Sequence, residues 1–300
     1  MLSVPSIIKL SQEFSIIGIF ILAKVKGRFD KMKPSFVIPH KRPLLVSMIT
    51  ETLVADCIIV IRNSIFDGAD AFALHLDHLD PKHINEEDLK RIMNYCCDKP
   101  VLSINYRKPN KNSLSDEDLV ETHFTALKAG ATMCDIMGDM YEPSPMQLAK
   151  SPVAIDKQKK LIDRIHSVGG EVLMSSHTWV MMSPEETVEH AKALESRGVD
   201  MIKIAMRADT ENELLEVIRT TSMMKRELKI PFLHICMGQY GKLHRVIAPF
   251  FGSALVLCVQ QYTRAGHKEQ PLLGATKRAL DNIDANLGRE SRTADTNAAG

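Results

Sequence analysis

The chain lacks the signatures of several large protein classes. No Cys-x-x-Cys pair occurs among its six cysteines (Cys57, Cys96, Cys97, Cys134, Cys236 and Cys258), so neither a zinc ribbon nor a thioredoxin-type redox motif is indicated. These thiols lie mostly in apolar runs and are expected to be buried and reduced, as in a cytoplasmic protein. No Gly-x-Gly-x-x-Gly follows the first predicted strand and no P-loop is present, which removes the main support for a dinucleotide or nucleotide fold. An excess of charge of one sign is also missing: the formal net charge is +1, with no aromatic and basic patch to suggest nucleic-acid binding. The apolar stretch from Ser6 to Ala23 is interrupted by Lys9, Gln12 and Glu13, so it never reaches the ~20 clean apolar residues of a membrane helix. It also lacks a small-residue cleavage signal.

What remains is an ordinary globular composition, 45% hydrophobic and 25% charged over 300 residues. Short apolar runs alternate with amphipathic stretches. Strands are predicted at Pro43–Ile49, Ala71–Leu76, Val101–Tyr106, Thr132–Met137, Glu171–Ser176, Met201–Ala205, Phe232–Met237 and Ala254–Val259. Ser115-Asp116-Glu117-Asp118 and Ser183-Pro184-Glu185-Glu186 read as helix starts. Val168-Gly169-Gly170 and Arg197-Gly198 read as helix exits. Eight strand–helix repeats predict an α/β chain folded as a single-domain (β/α)8 TIM barrel rather than an open doubly wound sheet. We assign residues 1–40 to an N-terminal extension, 41–286 to the barrel and 287–300 to a disordered tail.

In such a barrel the chemistry sits at the C-terminal ends of the strands. Those ends supply His75, Asp77, His78, Tyr106, Arg107, Asp135, His177, Lys203, Arg207, Gln239 and the loop from Gln260 to Gln270. Lys203 stands out, because it interrupts the apolar run Val199-Asp200-Met201-Ile202-Lys203-Ile204-Ala205-Met206. A buried ammonium must be paired or lose its proton, and a neutral lysine is a nucleophilic amine. Either it is a structural lysine paired with a carboxylate, or it forms a Schiff base with a carbonyl. His177 closes the preceding strand, where its ring could serve as general acid and base toward a bound imine. Arg245, early in the helix after strand seven, could clamp a carboxylate with two hydrogen bonds or simply face solvent.

The second half of the chain resembles the type I 3-dehydroquinate dehydratases. The resemblance rests on Met174-Ser175-Ser176-His177, on Ile202-Lys203-Ile204-Ala205-Met206, and on His244-Arg245 followed by Phe250-Phe251-Gly252-Ser253-Ala254. Gly68-Ala69-Asp70 leading into Leu76-Asp77-His78, and Lys99-Pro100-Val101-Leu102, extend it more thinly into the first half. It covers roughly residues 43 to 284. This resemblance implies a hydro-lyase of aromatic biosynthesis that converts 3-dehydroquinate to 3-dehydroshikimate, with no metal and no organic cofactor. Lys203 would form the imine and His177 would move the protons, while Arg245 would bind the substrate carboxylate. The expected partner is a small anionic keto acid, with neither nucleic acid nor membrane, and the enzyme is expected to be a cytoplasmic homodimer.

The chain departs from the family elsewhere. Ala73 and His75 stand where a glutamate and an arginine would contact substrate. The arginine ending the third strand is replaced by Tyr106 or, with a slip of one residue, kept as Arg107. Asn110 aligns with the glutamate that orients the histidine, and Met137 with an acidic residue. The last loop carries Thr263-Arg264-Ala265-Gly266-His267-Lys268-Glu269-Gln270, with Gln270 matching the family's glutamine. We therefore take His75, Arg107, Arg264, Arg245 and Gln270 as the candidate substrate-binding residues. The alternatives are a Schiff-base aldolase acting on another keto acid, and a non-catalytic metabolite-binding barrel derived from the family.

Overall fold

The structure, a computed structural model, describes residues 34–38, 40, 42–107, 114–263 and 268–283. Most of the extension, the whole of the tail, Asn110 and Arg264 therefore lie outside the described residues. Eight strands alternate with eight α-helices in chain order: β1 Leu44–Ile49, α1 Val54–Phe66, β2 Ala71–His75, α2 Glu86–Met93, β3 Val101–Ile104, α3 Asp116–Ala129, β4 Met133–Met137 and α4 Pro152–Ser167, then β5 Glu171–His177, α5 Pro184–Glu195, β6 Met201–Arg207, α6 Glu211–Glu227, β7 Phe232–Met237, α7 Gly241–Ile247, β8 Leu255–Cys258 and α8 Leu273–Asn282. The strands run parallel in the order β7-β6-β5-β4-β3-β2-β1-β8. Between β7 and β8 the barrel is joined by single contacts rather than a full ladder. The Ala254 N–H donates to the Phe232 carbonyl at 2.8 Å, and the His234 N–H to Ser253 Oγ at 3.4 Å.

Local sequence explains where the elements begin and end. Ser115 and Ser183 both form capping boxes, with Asp118 and Glu186 answering three residues on. Gly169 and Gly198 take the left-handed backbone at helix exits, with φ of 74° and 89°. The strands are mainly apolar on both faces, because helices cover the outside and other strands the inside, and their polar residues are nearly all buried.

Period-two alternation divides the apolar residues into two shells. Leu45 and Ile49, Phe72 and Leu74, and Val256 and Cys258 point out to the helices. Leu44, Val46 and Met48 point in, with Ala71, Ala73, Leu102, Ile104, Met133, Leu173, Met201, Leu233, Ile235, Leu255 and Leu257. Phe36 joins this inner cluster at 3% exposure. Its N–H donates to Glu171 Oε2 at 2.9 Å, tying the segment to the start of β5. The N-terminal end of the barrel is thus plugged by an aromatic ring. At the other end, the same inward phase delivers His75, Tyr106, Asp135, His177 and Lys203, and apolar packing gives way to polar contacts.

Among the described residues no helix is long and apolar enough to cross a membrane. The six cysteines carry free thiols, and five are buried as expected. Cys97 is the exception: it is exposed, on a left-handed residue at the end of a short turn (φ 53°).

Candidate active site

Lys203 is the centre of the site. β6 turns its side chain into the barrel, where the residue is 3% exposed. Its Nζ donates to the Tyr106 hydroxyl at 2.5 Å and to Asp135 Oδ2 at 3.3 Å. The Tyr106 hydroxyl in turn donates to the same Oδ2. Asp135 is fully buried, which by itself would raise its carboxyl; the Lys203 ammonium outweighs this, helped by the Ser175 and Tyr106 hydroxyls, and holds it below the usual carboxylate range. Burial, and then the Asp135 charge, push the Tyr106 phenol well above its ordinary value, so it remains protonated.

His177 sits one strand over at the end of β5. Its ring meets the Tyr106 ring edge-on at 5.1 Å between centroids. Burial, reinforced by Lys203, pushes its imidazole down to about 3, so it is neutral at physiological pH. Its tautomer is fixed by Gln147. Gln147 Oε1 accepts the backbone N–H of His177 at 2.7 Å, which identifies this atom as the carbonyl oxygen. The same oxygen lies 2.8 Å from Nδ1, so Nδ1 must carry the proton and Nε2 keeps its lone pair. Gln147 itself is held at a left-handed φ of 46° by its loop. Ser176 Oγ donates to the Met146 carbonyl at 2.7 Å, and Arg197 donates to the Ala149 carbonyl at 2.8 Å. Gly138 packs so close that a Cβ there would meet the Gln147 carbonyl oxygen at 2.5 Å. The chain's single tryptophan, Trp179, stacks on His177 at 6.2 Å and is 61% exposed, at the mouth of the site.

Arg245 and Gln270 meet as well. Arg245 Nη1 donates to Gln270 Oε1 at 3.0 Å, and both residues are 7% exposed. Burial lowers the guanidinium to about 10, which leaves it charged. The buried Arg245 Nε–H has no acceptor among the described residues. Its charge is felt at His177, on the Lys203 side of the barrel. A cation so placed, with an unused donor, suits a substrate carboxylate.

Two other candidates are placed differently. The inward phase of β3 selects Tyr106 rather than Arg107 for the interior. The Arg107 guanidinium turns away to Asp116 at 2.6 and 2.7 Å and to Asp139 at 2.7 Å, tying the loop after β3 to the loop after β4. His75 faces inward, its Nδ1 3.1 Å from Asp77 Oδ1. His75, Asp77 and His78 each bring one ligand atom within 4.8 Å of the others, the one group among the described residues able to hold a metal ion. A cavity of about 980 Å³ opens beside them. Asp77, His78, Asn105, Tyr106 and Arg107 line it, whereas Lys203 and His177 do not; Tyr106 thus borders both the cavity and the lysine.

Sequence reasoning did not identify Gln147, and placed Asp135 only among the strand-end residues without a role. Gln147 carries no local signal, because its partner lies 30 residues away. Asp135 could have been found by asking which inward carboxylate pairs the buried lysine.

Several known proteins are similar to this chain. The family model for type I 3-dehydroquinase matches residues 47–270. The 3-dehydroquinate dehydratase of Alkaliphilus oremlandii is 30% identical over 112 residues, which covers 37% of this chain and 44% of that protein. This match, like several others, spans less than half of the relative's length. The Enterococcus faecalis enzyme is 23% identical over 246 residues, 79% of this chain and 88% of that one. Among solved structures, type I 3-dehydroquinate dehydratase from Clostridium difficile, with covalent modified comenic acid, superposes with a TM-score of 0.69 at 19% identity, covering 82% of this chain and 94% of that one. The Enterococcus faecalis structure gives 0.66 at 21% identity, over 82% and 96%. With eight parallel strands around a buried lysine and three quarters of its length matched by one family model, this chain belongs to the type I 3-dehydroquinase family.

Proposed function

We propose that the protein is a Schiff-base hydro-lyase that dehydrates 3-dehydroquinate or a closely related cyclic hydroxy-keto acid. The observation that carries this reading is Lys203: a buried amine, turned inward beside a neutral histidine whose proton is fixed on Nδ1. The lysine condenses with the substrate ketone and releases water. The resulting cationic imine acts as an electron sink, which acidifies the adjacent carbon. His177 Nε2 takes that proton and later returns it to the departing hydroxyl, so the bond to oxygen breaks as water. Arg245, set by Gln270, binds the carboxylate and orients the ring.

The shell around the substrate hydroxyls has changed, with Ala73 and His75 on β2 and Arg107 held by two carboxylates. This leaves the hydroxyl pattern of the substrate as the property to test. Turnover of 3-dehydroquinate is followed by the ultraviolet absorbance of the conjugated product. Wild type should produce it, and Lys203→Ala and His177→Ala should lose at least about a hundredfold in kcat. A Lys203→Ala variant that keeps wild-type kcat would refute the reading. An aldolase would instead release a smaller carbonyl fragment and no conjugated ring.

A further inference from the structure

We infer that Tyr106 is a catalytic proton relay, which carries a proton from Lys203 to Asp135 before the imine forms and returns it to the departing oxygen. The inference rests on the Schiff-base reading above, which it deepens. Three polar groups form a closed triangle inside the barrel. Lys203 Nζ is 2.5 Å from the Tyr106 oxygen, closer than its 3.3 Å approach to Asp135 Oδ2. The tyrosine hydroxyl passes its own hydrogen to that same Oδ2. Besides the long direct contact at 3.3 Å, a path of two shorter hydrogen bonds therefore links amine to carboxylate through the phenol.

The residue type matters. A hydroxyl can accept from an ammonium while donating to a carboxylate, whereas the neighbouring Arg107 could only donate. Tyr106 is also the member of the triangle that lines the 980 Å³ cavity. A carbonyl arriving from that side meets the Tyr106 hydroxyl before it reaches the amine. Because the phenol stays protonated in these surroundings, it can accept one proton as it releases another without building up a charge.

The steps balance. One N–H proton moves from Lys203 to the Tyr106 oxygen as the Tyr106 proton moves to Asp135, leaving a neutral amine, an unchanged phenol and a carboxylic acid. The amine lone pair forms the C–N bond and the carbonyl π pair moves to oxygen. A nitrogen proton then neutralises that oxygen, giving the carbinolamine. Asp135 returns its proton through Tyr106 to the carbinolamine hydroxyl, the C–O bond breaks, and water departs. Net, an ammonium and a ketone become a protonated imine and water, with the triad restored.

The test measures amine reactivity separately from substrate choice. Full-length wild type, Tyr106→Phe and Asp135→Asn are treated with glyoxylate and cyanoborohydride over a pH series, and the labelling rate of Lys203 is read by peptide mass spectrometry. In wild type Lys203 should label faster than Lys160, an exposed lysine on α4. Tyr106→Phe should label about a hundredfold more slowly at neutral pH. The deficit should shrink as rising pH supplies free amine without the relay. Asp135→Asn breaks the path at its other end and should repeat the pattern, so that one variant carries the test where the other proves unstable. Equal rates for Tyr106→Phe and wild type would overturn the relay. A deficit constant at every pH would also overturn it, since that marks a positioning role alone. So would wild-type Lys203 labelling no faster than Lys160. Fast glyoxylate labelling without turnover of 3-dehydroquinate would instead discard the substrate and keep the relay.

Discussion

Replacing Lys203 with methionine tests the electrostatics of the site through stability. The side chain keeps its length and loses its charge, which leaves Asp135, 0% exposed, with the Tyr106 hydroxyl as its hydrogen-bond partner. Removing one member of a buried ion pair typically costs about 3–5 kcal/mol. Here the cost has a ceiling, because the stranded carboxylate can take up a proton instead. From an ordinary value of 3.8, protonating it costs roughly 4 kcal/mol near pH 7 and roughly 1.6 kcal/mol near pH 5. In wild type, Asp135 titrates below its unfolded value, so it contributes stability above that value, which is lost as pH falls through the folded one. In Lys203→Met the sign reverses. The folded carboxyl titrates above its unfolded value, and its penalty grows with pH until the proton is lost. Urea melts followed by circular dichroism should therefore show a loss of about 3–4 kcal/mol near pH 7 and under about 2 kcal/mol near pH 5, at unchanged slope. Adding Asp135→Leu should recover most of the loss near pH 7. A deficit equal at both pH values, or none near pH 7, would refute the reasoning.

Other consequences follow from the surrounding contacts. Gln147→Leu removes the acceptor that holds the proton on His177 Nδ1; kcat for 3-dehydroquinate should fall about ten- to a hundredfold with little change in KM, measured by steady-state absorbance. Arg245→Lys keeps the charge but loses the forked geometry and the Gln270 contact, so KM should rise about tenfold or more for a carboxylate substrate. Trp179 is the sole tryptophan and stacks on His177. Its emission should change on titrating substrate, and the change should vanish in Trp179→Phe.

Much of this was legible in the sequence because a parallel barrel announces itself through repetition. Each apolar run found a strand, with ends shifted by at most two residues, as β3 shows by closing at Ile104 rather than Tyr106. Both capping serines and both glycine exits also match. Lys203 and His177 could be read because a charge inside an apolar run violates the local pattern. Spacing along the chain, however, does not report which way a strand-end residue faces. Arg107 and Tyr106 were equivalent by alignment; the pleat of β3 sends one to the interior and the other to Asp116 and Asp139. Gln147 remained invisible for a related reason. Its position depends on loop packing against Ser176, Gly138 and Arg197, three points brought together only by the folded barrel.

The central claim is that Lys203 becomes covalently attached to the substrate carbon. Borohydride reduction in the presence of 3-dehydroquinate, followed by peptide mass spectrometry, reads this directly. The account predicts a stoichiometric adduct on the peptide carrying Lys203 and none in Lys203→Met. Turnover of 3-dehydroquinate with no adduct at Lys203, or an adduct confined to another lysine, would contradict it.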